Sequence, residues 1–278
     1  SSGQGPDVGY MYLEMIAEFI DMGALEPFDS YLTDQERDNF YYLDKGNFDG
    51  KQYGMPIVVG NPRVMFYNKD VLKESGVQTV PTTWEEFLTA CKLIKSNGFT
   101  PFQQQWNGAI GVLNSNFYPF LWQAGGEILN EAGNKAAFNS PEGIKAAKFL
   151  YDMKSEGIIP DSAISMTEDE LKAEFMDGKI GFIIGPTNFG AEFNEADLNW
   201  DYITSLKDQQ KGTFIAADSL VLLSQSKNKD LAAKLVKHML SGPSMTAFHE
   251  MAPSPPIGKD EEYNDEEAFK RIYEEDRE

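Results

Sequence analysis

The sequence is short of the side chains on which most enzymes and metal proteins depend. Across 278 residues there is one cysteine, Cys91, and there are two histidines, His238 and His249. A single cysteine excludes an internal disulfide framework and any cysteine-rich metal site. Gly242-Pro243 separates the histidines, so they share no helical face, and neither lies in HExxH or another metal-spaced pattern. Both read as partly exposed helix residues. GxSxG, Walker and GxGxxG loops are missing, and Gly178-Lys-Ile-Gly181 reads as a turn into a strand. Asp44–Gly50 fails as a calcium loop because Gly46 and Phe48 stand where oxygen ligands are needed. No metal and no cofactor is expected. Long apolar runs are lacking too: Ile180–Ile184 and Leu220–Leu223 are far too short to span a bilayer. Basic charge is scarce, with 24 Lys and Arg against 44 Asp and Glu, a net charge of −20. Such a chain repels phosphate backbones, which argues against nucleic acid as a partner. The acidic surface reads as a source of solubility.

What is present supports ordinary folded cores, since 41% of the residues are apolar. At about 150 residues per domain the length suggests nearly two domains. The opening Ser-Ser-Gly-Gln-Gly-Pro-Asp has neither an initiator Met nor a signal peptide and reads like the middle of a longer protein. Thr33-Asp-Gln-Glu36, Thr83-Trp-Glu-Glu86 and Thr167-Glu-Asp-Glu170 each fit a capping box, and Ser140-Pro141 places an N-cap before a first-turn proline. The helix after Ser140 carries Ala146, Phe149, Leu150 and Met153 on one face. A helix from about Asn228 carries Leu231, Leu235, Val236 and Met239, and a third is expected over Tyr10–Met22. Short apolar runs predict strands at Gly54–Val59, Val64–Tyr67, Ile180–Ile184, Tyr202–Leu206 and Phe214–Leu223. Alternation of the two element types predicts an α/β fold. The acidic stretch from Lys259 to the end, with Phe269, Ile272 and Tyr273, reads as a surface helix.

Catalytic chemistry finds little support. Cys91 lies in the helix after Thr83, on the face of Phe87 and Ile94, and reads as a packing residue. The acidic pairs Glu85/Glu86 and Glu261/Glu262 could do acid–base work, but carboxylates on a capped first turn more simply complement the helix dipole. The remaining chemistry is aromatic and amide. Gln103-Gln-Gln-Trp-Asn107 follows a Pro-Phe strand end, and Gly185-Pro-Thr-Asn-Phe-Gly190 follows the strand Ile180–Ile184. Both place uncharged hydrogen-bonding groups beside a ring at the C-terminal end of a strand, where α/β sheets bind ligands. An indole face with amides around it suits a neutral polyhydroxylated ligand.

Nine blocks in order then carry a resemblance. They are Gly5-Pro-Asp-Val8, Gly23–Leu32, Tyr53-Gly-Met-Pro56, Phe66-Tyr-Asn-Lys-Asp70, Val80–Phe87, Gly125-Gly-Glu127, Phe138–Glu142, Phe175–Gly181 and Ser224–Asp230. In that order they resemble the extracellular solute-binding proteins of bacterial ABC importers, the maltose-binding-like class. The resemblance implies a two-lobed α/β fold of the type II periplasmic-binding-protein kind, with a hinge between lobes that close on a ligand. It implies a discontinuous N-terminal lobe at 1–60 and 217–258, and a C-terminal lobe at 61–216 with its helical end at 259–278. The family's earlier strands and later helices lie outside these boundaries. A receptor without catalytic activity is implied, extracytoplasmic and either periplasmic or tethered as a lipoprotein, acting as a monomer with membrane permease subunits as partners. Cys91, in mid-helix, is not the lipid anchor.

By the same resemblance the ligand site takes Tyr10, Met11 and Glu14 after the Pro-Asp strand, Gly60 and Asn61 at the first crossover, and Gln105, Trp106 and Asn107 after the Pro-Phe strand. Thr187, Asn188 and Phe189 follow Gly185-Pro186, and Asp218 and Ser219 lie at the second crossover. Trp106 stands outside any apolar periodicity and is the leading candidate for stacking on a sugar. Trp84 is assigned to packing, Trp122 to core or ligand, and Glu14 equally to ligand or solvent. The pattern departs from many sugar binders in having Thr187 where a stacking Trp follows Gly-Pro; Phe189 either replaces that ring or points inward. Peptide, polyol and glycoside ligands stay open. Iron is disfavoured, because Tyr41-Tyr42 lies beside Phe40 and Leu43 in a helix end. Two further readings remain, a glycan-active enzyme with paired carboxylates and a sensor component coupled to a kinase or chemoreceptor.

Overall fold

A computed structural model describes residues 5–108, 112–131, 133, 135–251 and 255–261. The chain forms two compact units, one of Ser1–Asn61 with Ile215–Glu278 and one of Pro62–Phe214. The chain passes between units after residues 61 and 214, within two residues of the changeovers expected after 60 and 216. The architecture is α/β.

In the first unit β1 (Val8–Tyr12) runs directly into α1 (Leu13–Asp21). The helix expected over Tyr10–Met22 is thus corrected at its start. Tyr10, Met11 and Tyr12 are extended because their backbone pairs antiparallel with Asp218–Leu220, a distant partner that local periodicity does not show. Gly23 ends the helix with φ of 65°, a conformation that costs glycine little. There follow β2 (Leu25–Glu26), α2 (Asp34–Asp38), the small hairpin β3 (Asn47–Phe48) and β4 (Lys51–Gln52), and β5 (Gly54–Gly60).

The second unit holds, in order, β6 (Arg63–Asn68), α3 (Lys69–Glu74), α4 (Trp84–Ser96), β7 (Thr100–Gln103), α5 (Val112–Asn116), α6 (Tyr118–Gln123), α7 (Pro141–Ser155), α8 (Glu168–Met176), β8 (Ile180–Pro186), α9 (Phe189–Glu195) and β9 (Trp200–Ile203). Its sheet has the order β7-β8-β6-β9, with β7 parallel to β8 and the other pairs antiparallel. Strand alternation builds two cores from one sheet. Met65, Tyr67, Phe182 and Ile184 face a layer with Trp84, Phe87 and Phe120, while Val64, Phe66 and Ile183 face Phe175, Phe189 and Phe193. Both faces are covered, which is why β8 reads as one continuous apolar run. The last strand starts two residues earlier than expected, at Trp200, because its register partner Asn68 closes β6.

The return leg supplies β10 (Ala216–Leu223), α10 (Lys229–Met239) and α11 (Gly242–Met251). β10 is the centre of the first unit's sheet, with β1 along one edge and β5 and β2 along the other. Between Asp218 and Ser219 the register against β5 shifts by one residue, leaving Ile57 as the extra residue of a bulge in β5.

Local capping chemistry appears as read. Thr33, Thr83 and Thr167 each accept the N–H of the third following residue, and Glu36, Glu86 and Glu170 accept in return. Ser140 accepts from the Gly143 N–H ahead of Pro141. Cys91 is fully buried beside Phe87 and Ile94, and that burial pushes its thiol pKa up. Trp84 is buried with its ring stacked on Phe149 at 4.0 Å. Two expectations need correction. On α10 the buried face is Ala232, Ala233, Val236 and Leu240, while Leu231 is 68% and Leu235 50% exposed; small residues face the sheet and the periodic leucines do not. His238 is exposed as read, but His249 is fully buried, with Nδ1 2.8 Å from Glu261. The Glu261 carboxylate also accepts the N–H groups of Ile257 and Gly258, at 2.9 and 2.7 Å, so three groups hold one buried acid. Lys259, Asp260 and Glu261, expected to begin the final return to the second lobe, are bonded within the first unit to Asn39, Gly242 and His249. The surface helix expected from Lys259 onward, with Phe269, Ile272 and Tyr273, otherwise lies outside the described residues.

Candidate functional site

Strand geometry sorts the candidates of the first unit. Tyr10 and Tyr12 are two residues apart on β1 and share a face, 54% and 52% exposed, with rings 6.2 Å apart edge to face. Tyr12 is the register partner of Asp218, and the Tyr10 hydroxyl donates to the Asp218 carboxylate. Tyr10 and Asp218 are thus brought together across 208 residues of sequence. Tyr12 completes this face and was missed. The signal was the Tyr-x-Tyr alternation, which a helix reading hides.

Met11 points the other way, into a core with Ile16, Leu25 and Val221, and Ser219 is its buried partner across the ladder. Neither offers its side chain on the exposed face. Glu14, on the first turn of α1, is exposed. Gly60 has φ of 154°, and a Cβ there would come within 2.6 Å of the Pro255 ring, so its glycine serves a close approach of backbone to Pro255. Asn61 takes the left-handed conformation at φ of 46°, which Asn tolerates better than most residues. The first-unit strands leading to the crossings pair at Gly60 and Ala216. In the second unit the Arg63 N–H donates to Phe214 at 2.8 Å and the Arg63 guanidinium lies over the Phe214 ring.

Burial, the bond to Asp218 and the nearby negative charge of that carboxylate, in that order, raise the Tyr10 pKa above its usual value of 10.0. The neutral phenol is the form the fold favours. Its contribution to stability is in place below pH 10 and is lost as pH climbs towards the folded value. An absorbance titration of tyrosinate should show Tyr10, identified by difference from Tyr10→Phe, ionising after the other exposed tyrosines. Ionisation together with them would contradict the bond to Asp218.

In the second unit the candidates leave the C-terminal ends of two neighbouring parallel strands. Gln105, Trp106 and Asn107 follow β7, while Thr187 and Asn188 follow β8, and Gln103 is in register with Ile183. The first loop is held by its backbone. The Trp106 and Asn107 N–H groups donate to Ala163 at 2.9 Å and Met166 at 3.1 Å, and the Asn107 amide donates to Ser165 at 3.1 Å. Asn116, itself buried, donates to the Gln105 carbonyl. Trp106 is half-buried against the core, and its indole N–H donates to Gln104 at 3.1 Å. Gln104 was also missed: nothing in Gln103-Gln-Gln distinguishes one amide from the next. Thr187 is partly buried. Asn188 is exposed at the start of α9 and makes no capping bond with its side chain.

Phe189 is buried against Phe66 at 6.2 Å and Phe193 at 6.0 Å, with the Lys172 ammonium over its ring. Of the two readings left open for this ring, the inward one is observed. Trp122 is partly exposed, with its ring 5.7 Å from that of Tyr118. Two pockets within single units, about 370 Å³ beside Leu32, Glu36 and Lys237 and about 680 Å³ beside Val77, Thr83 and Leu93, include none of these candidates. Among the described residues no group of three or more His, Cys, Asp or Glu could hold a metal ion, and no helix is long and apolar enough to cross a membrane.

The family described as bacterial extracellular solute-binding protein matches residues 1–244. Curated relatives from Brucella abortus and Brucella suis are 27% identical over 267 residues, covering 94% of this chain and 64% of theirs. The chain thus spans somewhat under two thirds of their length. The maltotriose-binding protein of Pyrococcus abyssi is 25% identical over 254 residues, 88% of this chain and 52% of that protein. Among solved structures, an ABC transporter solute-binding protein from Thermotoga lettingae bound with α-D-tagatose superposes with a TM-score of 0.80 at 25% identity. It covers 98% of this chain and 74% of that one.

Proposed function

We propose, from the premise that this chain belongs to the bacterial extracellular solute-binding protein family, that it is the substrate-binding receptor of an ABC importer and that its ligand is a neutral sugar or oligosaccharide. The observation that carries this reading is the Gln105–Asn107 loop, in which a half-buried indole on a braced backbone stands beside side-chain amides at a strand's C-terminal end. The apolar C–H face of a pyranose stacks on a flat ring, and its hydroxyls take hydrogen bonds from uncharged groups. A braced loop has already met part of the ordering cost of binding. The sugars named for the Pyrococcus and Thermotoga proteins support the same ligand class.

In this reading Trp106 stacks, while Gln105, Asn107, Thr187 and Asn188 supply hydrogen bonds from the second unit. On the first unit the candidate residues are Tyr10, Tyr12 and Asp218, which share one face of the β1–β10 ladder, with Glu14 two residues after Tyr12 and Asn61 at the end of β5. Met11, Ser219 and Gly60 in the first unit and Phe189 in the second serve by packing within their own units. The protein is a receptor and not an enzyme; it acts outside the cytoplasm as a monomer, and its partners are the permease subunits. Thermal melting against a panel of glucose, maltose, maltotriose, chitobiose and tagatose tests this. A ligand that binds the folded state alone stabilises it by RT ln(1 + L/Kd), where L is its free concentration, and so raises the melting temperature as L exceeds Kd. At least one neutral saccharide should do so; stabilisation by peptides or anions alone would contradict the assignment.

A further inference from the structure

The Trp106 ring has a partner with no other evident use. Gln104 is 2% exposed, and its Oε1 accepts the indole N–H at 3.1 Å. An indole nitrogen only donates, so this bond fixes which end of the amide faces the ring. The oxygen faces the indole, and Nε2 turns into the protein, where it has no hydrogen-bond partner among the described residues. The amide before it is oriented in the same way. Gln103, also buried, donates from Nε2 to the Glu174 carboxylate and to the Ser162 hydroxyl, both at 3.1 Å, which leaves its Oε1 to accept the Gln104 backbone N–H at 3.1 Å. A chain of bonds with every donor and acceptor assigned therefore runs from α8 through the end of β7 to the indole.

A buried donor left unpaired is unfavourable, and an apolar side chain of similar shape would remove it. The amide's one remaining use here is its oxygen, held still as an acceptor. We propose that Gln104 is a positioning residue of the ligand site: it fixes the plane of the Trp106 ring by engaging the indole N–H, so that the ring meets a ligand through its faces alone. Hydrogen bonds to ligand hydroxyls then fall to Gln105 and Asn107, and the sugar that fits must present an apolar face to the ring. This rests on the reading of Trp106 as the stacking residue.

The test uses three variants of the purified protein, Gln104→Met, Gln104→Glu and Trp106→Ala. The indole signals are followed by NMR, and affinity is read with the saccharide panel named above. Trp84 and Trp200, whose indoles donate to Gln123 and Asn194, report within the same spectrum that the fold is intact. Gln104→Met should shift the Trp106 N–H signal and speed its exchange with solvent. It should weaken binding about threefold to tenfold, the range one neutral hydrogen bond carries. Gln104→Glu keeps an oxygen acceptor and should restore both. A Trp106 N–H that stays equally protected in Gln104→Met overturns the proposal, as does unchanged affinity once that protection is lost. Unchanged affinity in Trp106→Ala, or no binding of the panel by the parent, overturns the stacking reading itself; the indole signal still decides separately whether Gln104 holds the ring.

Discussion

Trp106→Ala should weaken saccharide binding by well over tenfold, the largest loss expected from any single change at the site. A tenfold loss corresponds to about 1.4 kcal/mol, and an aromatic contact is worth about 0.5–1.5 kcal/mol beyond the area it buries. The area adds to this, because the indole is half-buried in the free protein and a stacked sugar would cover much of the remainder. Trp106→Phe keeps an aromatic face and should recover part of the affinity, short of the parent because it loses the bond to Gln104. Calorimetric titration of both variants checks the order, parent above Phe above Ala. Equal affinities across the three would remove Trp106 from the site.

The second large effect lies in the scaffold beneath the site. Phe66, on the inner strand β6, is fully buried among Phe189, Phe193 and Trp200, with ring centres 6.2, 5.2 and 5.3 Å away. Alanine there removes the ring around which the other three are arranged, and Phe→Ala in a core costs about 3–5 kcal/mol. Against a net stability of about 5–15 kcal/mol this is a large share. In urea unfolding the second unit's transition should move to a much lower midpoint with little change in slope. Tyr151→Ala, on the exposed face of α7, should leave it within about 0.5 kcal/mol. A loss below about 1 kcal/mol for Phe66→Ala would show that the aromatic layer closes over the gap.

What could be read from the sequence was chemistry that acts over three or four residues. A hydroxyl followed three positions later by Glu names a helix start without any tertiary information, and Thr33, Thr83 and Thr167 all behave so. The second unit's central strands were legible for a related reason: burial on both faces leaves an unbroken apolar run, as in Ile180–Ile184. The misreadings come from partners far along the chain. Tyr10–Tyr12 is a strand because Asp218–Leu220 is there to pair with it. His249 is buried because Glu261, bound by two backbone N–H groups, receives its ring. On α10 the leucines carry the stronger periodic signal, yet the alanines pack, because close approach to a sheet favours small side chains.

The candidate site was legible as loops and not as side-chain directions. The sequence marks Gln103–Asn107 and Gly185–Gly190 as polar and aromatic segments following strands. Which way each residue faces depends on strand alternation and on the layers behind. Phe189 turned inward because an aromatic cluster around Phe66 awaited it. Met11 and Ser219 fell on the buried face of the same ladder that exposes Tyr10 and Tyr12 and leaves Asp218 partly exposed. Gln104 differs from Gln105 through the burial that follows from its place just past the end of β7, which sequence alone does not mark.

Isothermal titration of the purified protein with the neutral saccharide panel bears most directly on the account. One or more of these sugars should bind saturably with one site per chain, and Trp106→Ala should reduce that affinity by more than tenfold. An absence of binding heat from every saccharide in the panel, beside saturable binding of a peptide or an anion, would contradict it.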